Sequence, residues 1–303
     1  MKKLVIFGVG LIGGSVALTL KKAGKRNNTV MHIVGVGRSE KNLQNALDLG
    51  VIDAAETNIA EACNDADIIL IAAPVAQTAS ILQSIKPHLH SNTVITDAGS
   101  TKSDVLTCAN AILGEQFNQF VGGHPIAGAE KSGVSAAKAD LFIGKNVVLT
   151  PHINHEALQD NTNAASRASK IARVAEMWRA CGAQVSEMSA ETHDRIFAAV
   201  SHLPHLLAFA LVDEIAARPN AEQLFSFAAS GFRDFTRIAG SHPEMWRDIS
   251  LANKNALLGE ISAFEKELSQ LKQLLADENG MGLQELFERA SIARNNWAIE
   301  REK

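Results

Sequence analysis

The first half of the chain alternates short apolar runs with stretches of helical periodicity. The apolar runs are typical of strands buried on both faces of a sheet, and they lie at Leu4–Phe7, Val30–Val36, Asp67–Ala73, Thr93–Thr96, Phe120–Val121 and Asn146–Thr150. Helices are predicted after the first strand up to Ala23, where Gly24 ends the helix, and over Glu40–Leu49, Ala76–Ile85 and Thr101–Leu113. Strands that alternate with such helices form parallel βαβ units. The pattern therefore predicts an α/β fold with a doubly wound sheet of the Rossmann type.

The pattern changes after residue 188. A long polar helix over Glu156–Ala180 and a strand near Gln184–Met188 complete the first part. Only helices are predicted beyond Ser189. We therefore expect two domains, an α/β domain over residues 1–188 and an all-helical domain over residues 189–303.

Apolar residues in the helical domain recur at alternating intervals of four and three positions. They are Leu257, Ile261, Phe264, Leu268, Leu271 and Leu275. This spacing is that of a heptad seam. Because the run is short for a coiled coil, two interpretations stay open. The helix either packs on the core of its own domain or forms a dimer interface.

Composition narrows the class of protein. The chain is 46% hydrophobic and 20% charged, as expected for a folded protein with a substantial core. A net charge of −4 disfavours a general surface for nucleic acid or acidic membranes. Cys63, Cys108 and Cys181 lie far apart in the sequence. They are typical of reduced thiols and predict neither disulfides nor a metal site.

The amino terminus resembles a secretory signal, because Lys2 and Lys3 precede an uncharged apolar run. Four glycines between Gly8 and Gly14 make that run a poor apolar helix. No convincing A-x-A cleavage site follows it. We therefore expect a cytoplasmic protein that does not enter a membrane.

A glycine motif follows the first predicted strand and opens the first helix. In "GVGLIG", Gly8 allows a tight turn, Gly10 lets the backbone approach a pyrophosphate, and Gly13 lets helix and strand pack closely. Leu11 and Ile12 begin the helix, whose free N–H groups and partial positive charge suit phosphates. The motif stands in the context that a dinucleotide site requires, so we predict that these residues bind NAD or NADP.

The end of the second strand bears on which dinucleotide is bound. An acidic residue usually meets a free ribose 2′-hydroxyl there, whereas an arginine usually meets a 2′-phosphate. Arg38 and Ser39 occupy this place, and Glu40 follows them. The arginine favours NADP, although Glu40 leaves a contact with the ribose of NAD open.

Three histidines are candidates for chemistry, because neutral imidazole is a suitable base near neutral pH. His124, in the stretch "GGHPIAGAEKSG", is predicted just past the carboxyl end of a strand, where ligands bind in open α/β sheets. His202 and His205 lie three residues apart in an apolar run, with Pro204 between them. Polar groups in such apolar surroundings are unfavourable unless they form hydrogen bonds or take part in binding or catalysis. The alternative for this pair is a structural role at a proline kink.

A second polar cluster lies in the helical domain. Arg233 and Arg237 are four residues apart, with Asp234 nearby, and are expected on one helix face. They either form surface ion pairs or present a guanidinium group to a substrate carboxylate.

Taken together, these motifs resemble the prephenate/arogenate dehydrogenase family, the enzymes of tyrosine biosynthesis. The matching stretches are "GVGLIGGS" at 8–15, "DAGSTK" at 97–102, "GGHPIAGAEKSG" at 122–133, "SHLPHLLAFAL" at 201–211 and "GFRDFTRIA" with "PEMWRDI" within 231–249. The glycine motif is general, but the other four together are specific to this family.

The resemblance implies a catalytic histidine at His124 that accepts the proton of the substrate's ring hydroxyl. It implies that Ser100 contacts the same hydroxyl and the histidine. It further implies an active site between the two domains and a homodimer formed through the helical domain.

The resemblance also implies a substrate-binding set. His205 and Arg237 match substrate-binding positions, and Arg237 is a candidate partner of a substrate carboxylate. Glu130 matches an acidic residue at the pocket mouth that pairs with this arginine. Trp246 matches a tryptophan that the partner subunit can contribute. Second-sphere or structural roles are expected for His202, Arg233, Lys131 and Asn253.

The implied activity is the oxidative decarboxylation of prephenate to 4-hydroxyphenylpyruvate. Arogenate is the alternative substrate, since it differs only in its side chain. A dehydrogenase of the 6-phosphogluconate or β-hydroxyacid type is a weaker alternative, because it would use a catalytic lysine. A non-catalytic NAD(P)-binding regulator is a further alternative.

Overall fold

The computed structural model describes residues 1–26, 30–129, 131–152 and 161–302 of the chain. Its contacts divide the chain into two compact units, residues 1–254 and residues 255–303. The first unit contains the sheet and the helices that cover it.

The described part of the first unit contains one eight-stranded sheet. Its strands are β1 Lys3–Phe7, β2 His32–Val36, β3 Ala54–Ala55, β4 Ile68–Ile71, β5 Val94–Asp97, β6 Phe120–Pro125, β7 Asn146–Thr150 and β8 Gln184–Glu187. They are arranged in the order β3-β2-β1-β4-β5-β6-β7-β8. The predicted Rossmann-type architecture is confirmed, with the order of strands reversing between β1 and β4.

The helices of this unit are α1 Leu11–Arg26, α2 Glu40–Asp48, α3 Ile59–Cys63, α4 Thr78–Ile85, α5 Ser103–Leu113, α6 Asn161–Ala180, α7 Ala190–Phe197, α8 Leu203–Ala216, α9 Ala221–Ser226, α10 Ser230–Thr236 and α11 Pro243–Ala252. The prediction that the first helix ends at Gly24 is wrong, because α1 continues to Arg26. A glycine inside a helix is less favourable than alanine by only about 1 kcal/mol. The predicted start of the sixth helix, Glu156, lies outside the described residues.

Two hydrophobic cores cover the two faces of the sheet. Side chains alternate along a strand, so Leu4 and Ile6 of β1 join one core while Val5 and Phe7 join the other. Helices α1 and α6 contribute to the first core, and α4 and α5 contribute to the second. The doubly wound arrangement follows from strands that are apolar on both faces.

Strand β6 changes its partner part of the way along. Its first residues pair in parallel with β5, and residues from Gly122 onward pair antiparallel with β7. The sequence predicted only Phe120–Val121 as strand and placed His124 just past it. This placement is wrong, because His124 pairs with Val148 inside the strand. Two glycines and a proline, which are rare in strands, conceal the extension.

Helices α7 and α8 form one long segment with a π-helical turn between them. The turn spans Ala198–His202, and Pro204 lies in the first turn of α8. Among the described residues, the stretch Ala190–Ala216 is long and apolar enough to cross a membrane, judged by length and composition only. Because a core helix can meet the same test, this finding is weak evidence for a membrane span.

The second unit consists of α12 Lys254–Ala276, which begins one residue before it, and α13 Gly280–Glu302. The side chain of Asn279 caps α13 by accepting a hydrogen bond from the amide of Gly282 at 2.9 Å. On the predicted heptad seam, Leu257 is buried, whereas Leu268 and Leu275 are 49% and 59% exposed. The seam is therefore only partly covered within the single chain.

Candidate active site

A cleft of about 700 Å³ lies over the carboxyl ends of β1, β2 and β4. Its walls include residues 8–10, 36–39 and 72–74. Ligands of doubly wound sheets bind at the carboxyl ends of the strands, where the strand order reverses. The cleft is therefore in the position expected for a dinucleotide.

The glycine motif shapes the floor of this cleft. A Cβ on Gly13 would lie 2.3 Å from the carbonyl oxygen of Gly8, so this close contact between helix and strand requires glycine. A Cβ on Gly10 would meet nothing within 4 Å, so space is left beside it. The first hydrogen bond of α1 runs from the amide of Gly14 to the carbonyl of Gly10 at 2.9 Å. The amides of residues 11–13 thus lack partners in the helix and suit a pyrophosphate.

Arg38 and Ser39 line the same cleft at the end of β2. The Ser39 hydroxyl accepts a hydrogen bond from the amide of Asn42 at 3.3 Å and so caps α2. Arg38 is exposed and adds a positive charge to the rim of the cleft. The cleft thus combines free amides, open space beside a glycine and a guanidinium group, which fits the phosphate groups of a dinucleotide.

A buried carboxylate joins the loop after β5 to strand β6. Asp97, the last residue of β5, forms an ion pair with the fully buried Lys102. Its two oxygens also accept hydrogen bonds from the amides of Gly99 at 2.9 Å and Gly123 at 3.0 Å. The half-buried Ser100 lies in the loop that is held in this way. Asp97 therefore fixes the loop of Ser100 against the strand that carries the candidate base.

His124 lies in a buried environment at the end of β6. Its Nδ1 is 2.8 Å from Nε2 of His193, and its ring packs edge-on against Phe197 at a centroid distance of 4.9 Å. Burial lowers the pKa of His124 well below its usual value, and the nearby His193 and Lys102 lower the pKa further. The imidazole is therefore neutral at physiological pH and able to accept a proton.

His193 and its neighbour Asp194 are site residues that the sequence analysis did not select. Nδ1 of His193 is 2.8 Å from Oδ1 of Asp194, and both side chains are buried. Asp194 also accepts hydrogen bonds from the amides of Lys102 at 2.9 Å and Ser103 at 2.8 Å. Burial by itself raises the pKa of Asp194, but these hydrogen bonds outweigh burial and lower the pKa. The sequence feature that could have identified them is the adjacent histidine and aspartate directly before an apolar helix.

Three of the predicted substrate-binding residues, His205, Arg237 and Trp246, lie beyond the π-helical turn. Nδ1 of His205 is 2.9 Å from the Ser201 carbonyl oxygen and donates to it. Trp246, on α11 of the same chain, stacks on His205 with ring centroids 3.6 Å apart. Burial lowers the pKa of His205, and the charge of Arg237 lowers it further. Arg237 follows the end of α10 rather than sharing that helix with Arg233 as predicted.

Asn253 and His202, to which the sequence analysis gave no specific role, connect the helices of this region. Asn253 donates to Nδ1 of His202 at 3.1 Å and to the Asp194 carbonyl oxygen at 2.8 Å. His202 is fully buried, and burial lowers its pKa to about 4. This pair joins the end of α11 to α7 and the π-helical turn.

The other two residues without a role, Arg233 and Lys131, are exposed. The predicted Glu130 lies outside the described residues. Among the residues that the structure does describe, no group of three or more His, Cys, Asp or Glu side chains could hold a metal ion.

The fold and the cleft are those of a dinucleotide-binding protein. The family model described as "Prephenate dehydrogenase, nucleotide-binding domain" matches residues 16–187, and the model described as "Prephenate dehydrogenase, dimerization domain" matches residues 189–289. The chain belongs to the prephenate dehydrogenase family.

Individual relatives agree with this assignment. The chain is 36% identical over 294 residues to the prephenate dehydrogenase of Bacillus subtilis strain 168, covering 96% of this chain and 75% of that protein. The crystal structure of prephenate dehydrogenase from A. aeolicus in complex with hydroxyphenyl propionate and NAD+ has a TM-score of 0.85 and 37% identity, with 97% of each chain covered. Synechocystis arogenate dehydrogenase has a TM-score of 0.77 and 26% identity, covering 97% of this chain and 99% of that chain.

We expect the free energy of unfolding to decrease as the pH falls below about 6.5, partly because His202 is buried in its neutral form. Its pKa is about 4 in the folded chain and 6.5 when unperturbed. Between these values the unfolded chain binds the proton more readily, so stability is lost as the pH falls. The slope for one such group is on the order of 1 kcal/mol per pH unit.

Denaturant unfolding between pH 7 and pH 5 measures this slope. The variant His202→Gln should show a shallower slope than the natural protein. The same change at the exposed His90 serves as the control and should keep the original slope. Identical slopes for all three proteins would show that His202 does not contribute.

Proposed function

We propose that the protein oxidises prephenate to 4-hydroxyphenylpyruvate with release of carbon dioxide, using a nicotinamide dinucleotide, as a step of tyrosine biosynthesis. The observation that carries this proposal is a buried, neutral His124 at the sheet of a chain that belongs to the prephenate dehydrogenase family. The similarity to Synechocystis arogenate dehydrogenase supports arogenate as the second candidate substrate.

The first requirement of the reaction is a base for the substrate hydroxyl. Prephenate is a cyclohexadiene with a hydroxyl on C4 and a carboxylate on C1. His124 accepts the hydroxyl proton, and Ser100 contacts the same oxygen. The oxidised nicotinamide, when bound, accepts the hydride from C4.

The second requirement is the loss of the carboxylate. The carbonyl that forms at C4 is conjugated through the ring to C1, so it accepts the electron pair of the breaking bond between C1 and the carboxylate. Carbon dioxide departs, the ring becomes aromatic, and His124 returns its proton to the C4 oxygen. Aromatisation makes the step effectively irreversible. The protein has only to position the ring and hold the proton.

The residues beyond the π-helical turn position the substrate. Arg237 offers a guanidinium group to a substrate carboxylate. His205, with its Nδ1 donating to a backbone carbonyl and its face against Trp246, is held in one orientation.

We expect His124→Asn to lower kcat by about 100-fold or more, because general base catalysis contributes 10²- to 10⁴-fold. KM should change little, since the proton is transferred mainly in the transition state. Steady-state kinetics with prephenate measures both constants. His90→Asn is the control and should retain the natural kcat. A His124→Asn variant with nearly full kcat would exclude His124 as the base.

The preferred cofactor is NADP. Arg38 on the rim of the cleft offers a guanidinium group to a 2′-phosphate, whereas Ser39 is engaged in capping α2. The similar A. aeolicus enzyme was crystallised with NAD+, so the family fold also accepts the cofactor without the 2′-phosphate.

We expect Arg38→Asp to shift the ratio of kcat/KM values for NADP and NAD toward NAD by more than tenfold, because the substitution removes the ion pair with the 2′-phosphate and places a negative charge beside it, and tenfold corresponds to about 1.4 kcal/mol. The matched control is Arg179→Asp, an exposed arginine on α6 that does not line the cleft. An unchanged ratio in Arg38→Asp would show that Arg38 does not read the 2′-phosphate.

The protein forms a homodimer through its helical domain and acts in the cytoplasm. The proposed domains are residues 1–188 and 189–303, a division supported by the end of β8 at Glu187 and by the two family models. Helices α12 and α13 expose large apolar side chains, among them Met281 at 80% and Phe287 at 58%. An apolar surface of this kind is typical of an interface. The three cysteines are free thiols, as expected in the cytoplasm.

We expect sedimentation to give a mass near twice 32.4 kDa for the natural protein. The double variant Leu268→Glu and Leu275→Glu should be monomeric, because it places charges on the proposed interface. Lys266→Glu, on the same helix, is the control and should remain dimeric. A natural protein that sediments as a monomer would contradict the proposed dimer.

A further inference from the structure

We propose that His193 and Asp194 are positioning residues that fix the tautomer of His124 and share the proton that His124 accepts. This inference rests on the proposed function, in which His124 is the base. Together the three side chains form the His124–His193–Asp194 chain, which runs from β6 to α7.

The carboxylate of Asp194 sets the direction of the hydrogen bonds. It is anchored by two backbone amides, those of Lys102 and Ser103, at the start of α5. An ionised carboxylate only accepts hydrogen bonds. The proton between Asp194 and His193, whose atoms are 2.8 Å apart, therefore belongs to Nδ1 of His193.

The tautomer of His193 determines that of His124. A neutral imidazole with its proton on Nδ1 has a lone pair on Nε2 and accepts there. Because Nε2 of His193 is 2.8 Å from Nδ1 of His124, Nδ1 of His124 must donate the proton between them. Nε2 of His124 then carries a lone pair, which is the form that a base requires.

The same chain stabilises the charge that the reaction creates. When Nε2 of His124 accepts the hydroxyl proton, the ring becomes a buried cation, which is unfavourable without a partner. The proton on Nδ1 of His124 can pass to Nε2 of His193. His124 is then neutral again, and the cationic His193 lies next to the carboxylate of Asp194.

The other charged or titratable groups near His124 do not provide this stabilisation. Lys102 is cationic and is paired with Asp97. Nδ1 of His202 accepts a hydrogen bond from Asn253. Asp194 is thus the nearby carboxylate that is connected to His124 through a hydrogen-bonded ring.

The tautomers can be observed directly by NMR. In protein labelled with ¹⁵N at histidine and held at neutral pH, we expect His124 and His193 both to be protonated on Nδ1. The variants His124→Asn and His193→Phe assign the two sets of signals. Protonation of His124 on Nε2 would overturn the proposal. Because this readout needs no substrate, it is independent of the proposed function.

Two substitutions of His193 distinguish its effect on the tautomer of His124 from its uptake of the proton. His193→Phe keeps the ring that packs on Phe197 at 4.5 Å but removes both nitrogens, and it should lower kcat about 100-fold with little change in KM. His193→Gln can still accept a hydrogen bond from His124 but cannot take up the proton and hold it as a cation beside Asp194, so its kcat should lie between those of the natural protein and His193→Phe. Val174→Ala, a truncation in the core under the sheet, controls for loss of stability and should retain kcat.

The pH profile gives the second readout. If His193 acted on His124 only through its charge, which lowers the pKa of His124, its removal would move the acid limb of kcat/KM to higher pH. If His193 accepts the proton as proposed, its loss disfavours protonated His124, so the acid limb should instead move to lower pH by on the order of one unit in His193→Phe. A variant with natural kcat and an unshifted limb would overturn the proposal while leaving the proposed function intact. A natural protein without turnover of prephenate or arogenate would instead contradict the proposed function.

Discussion

The arrangement of the active site depends on the hydrogen bonds that the Asp194 carboxylate accepts. Two of them come from backbone amides at the start of α5, and the third comes from His193, the preceding residue of α7. Helix α7 is thereby tied to the loop that follows β5. Because charged hydrogen bonds of this kind are strong when buried, the relative position of sheet and helix is well defined. The proposed base on the sheet is therefore held in a defined position relative to the helix that carries His193.

Strand β6 also fixes the position of His124 relative to the rest of the sheet. It leaves β5 and pairs with β7 in the opposite direction, so His124 is part of the sheet rather than of a loop. A Cβ on Gly123 would lie 2.8 Å from the Asp97 carbonyl oxygen, so the residue before the proposed base has to be glycine. Side chains held by regular strands keep a more precise geometry than those on loops. Gly122 and His124, which the sequence analysis placed past the end of the strand, are both part of the sheet.

The sequence was sufficient to predict the alternating α/β architecture, because strands buried on both faces are apolar throughout. It could not reveal β3 or α3, since elements of two and five residues carry too little periodicity. The chain from His124 to Asp194 joins residues about 70 positions apart in sequence, a distance over which spacing carries no information. The stack of His205 on Trp246 depends on a π-helical turn that no hydrophobic pattern marks. The family resemblance supplied Trp246, whereas neither the resemblance nor the physical pattern pointed to His193 and Asp194.

The measurement that tests the account most directly is turnover of the purified protein in four combinations, prephenate or arogenate with NAD+ or NADP+. Formation of reduced nicotinamide and release of carbon dioxide would be followed together. The account predicts turnover with prephenate, equal amounts of the two products, and a higher kcat/KM with NADP+. Folded protein that binds a dinucleotide but turns over neither substrate would contradict the proposed activity and point to a binding role instead.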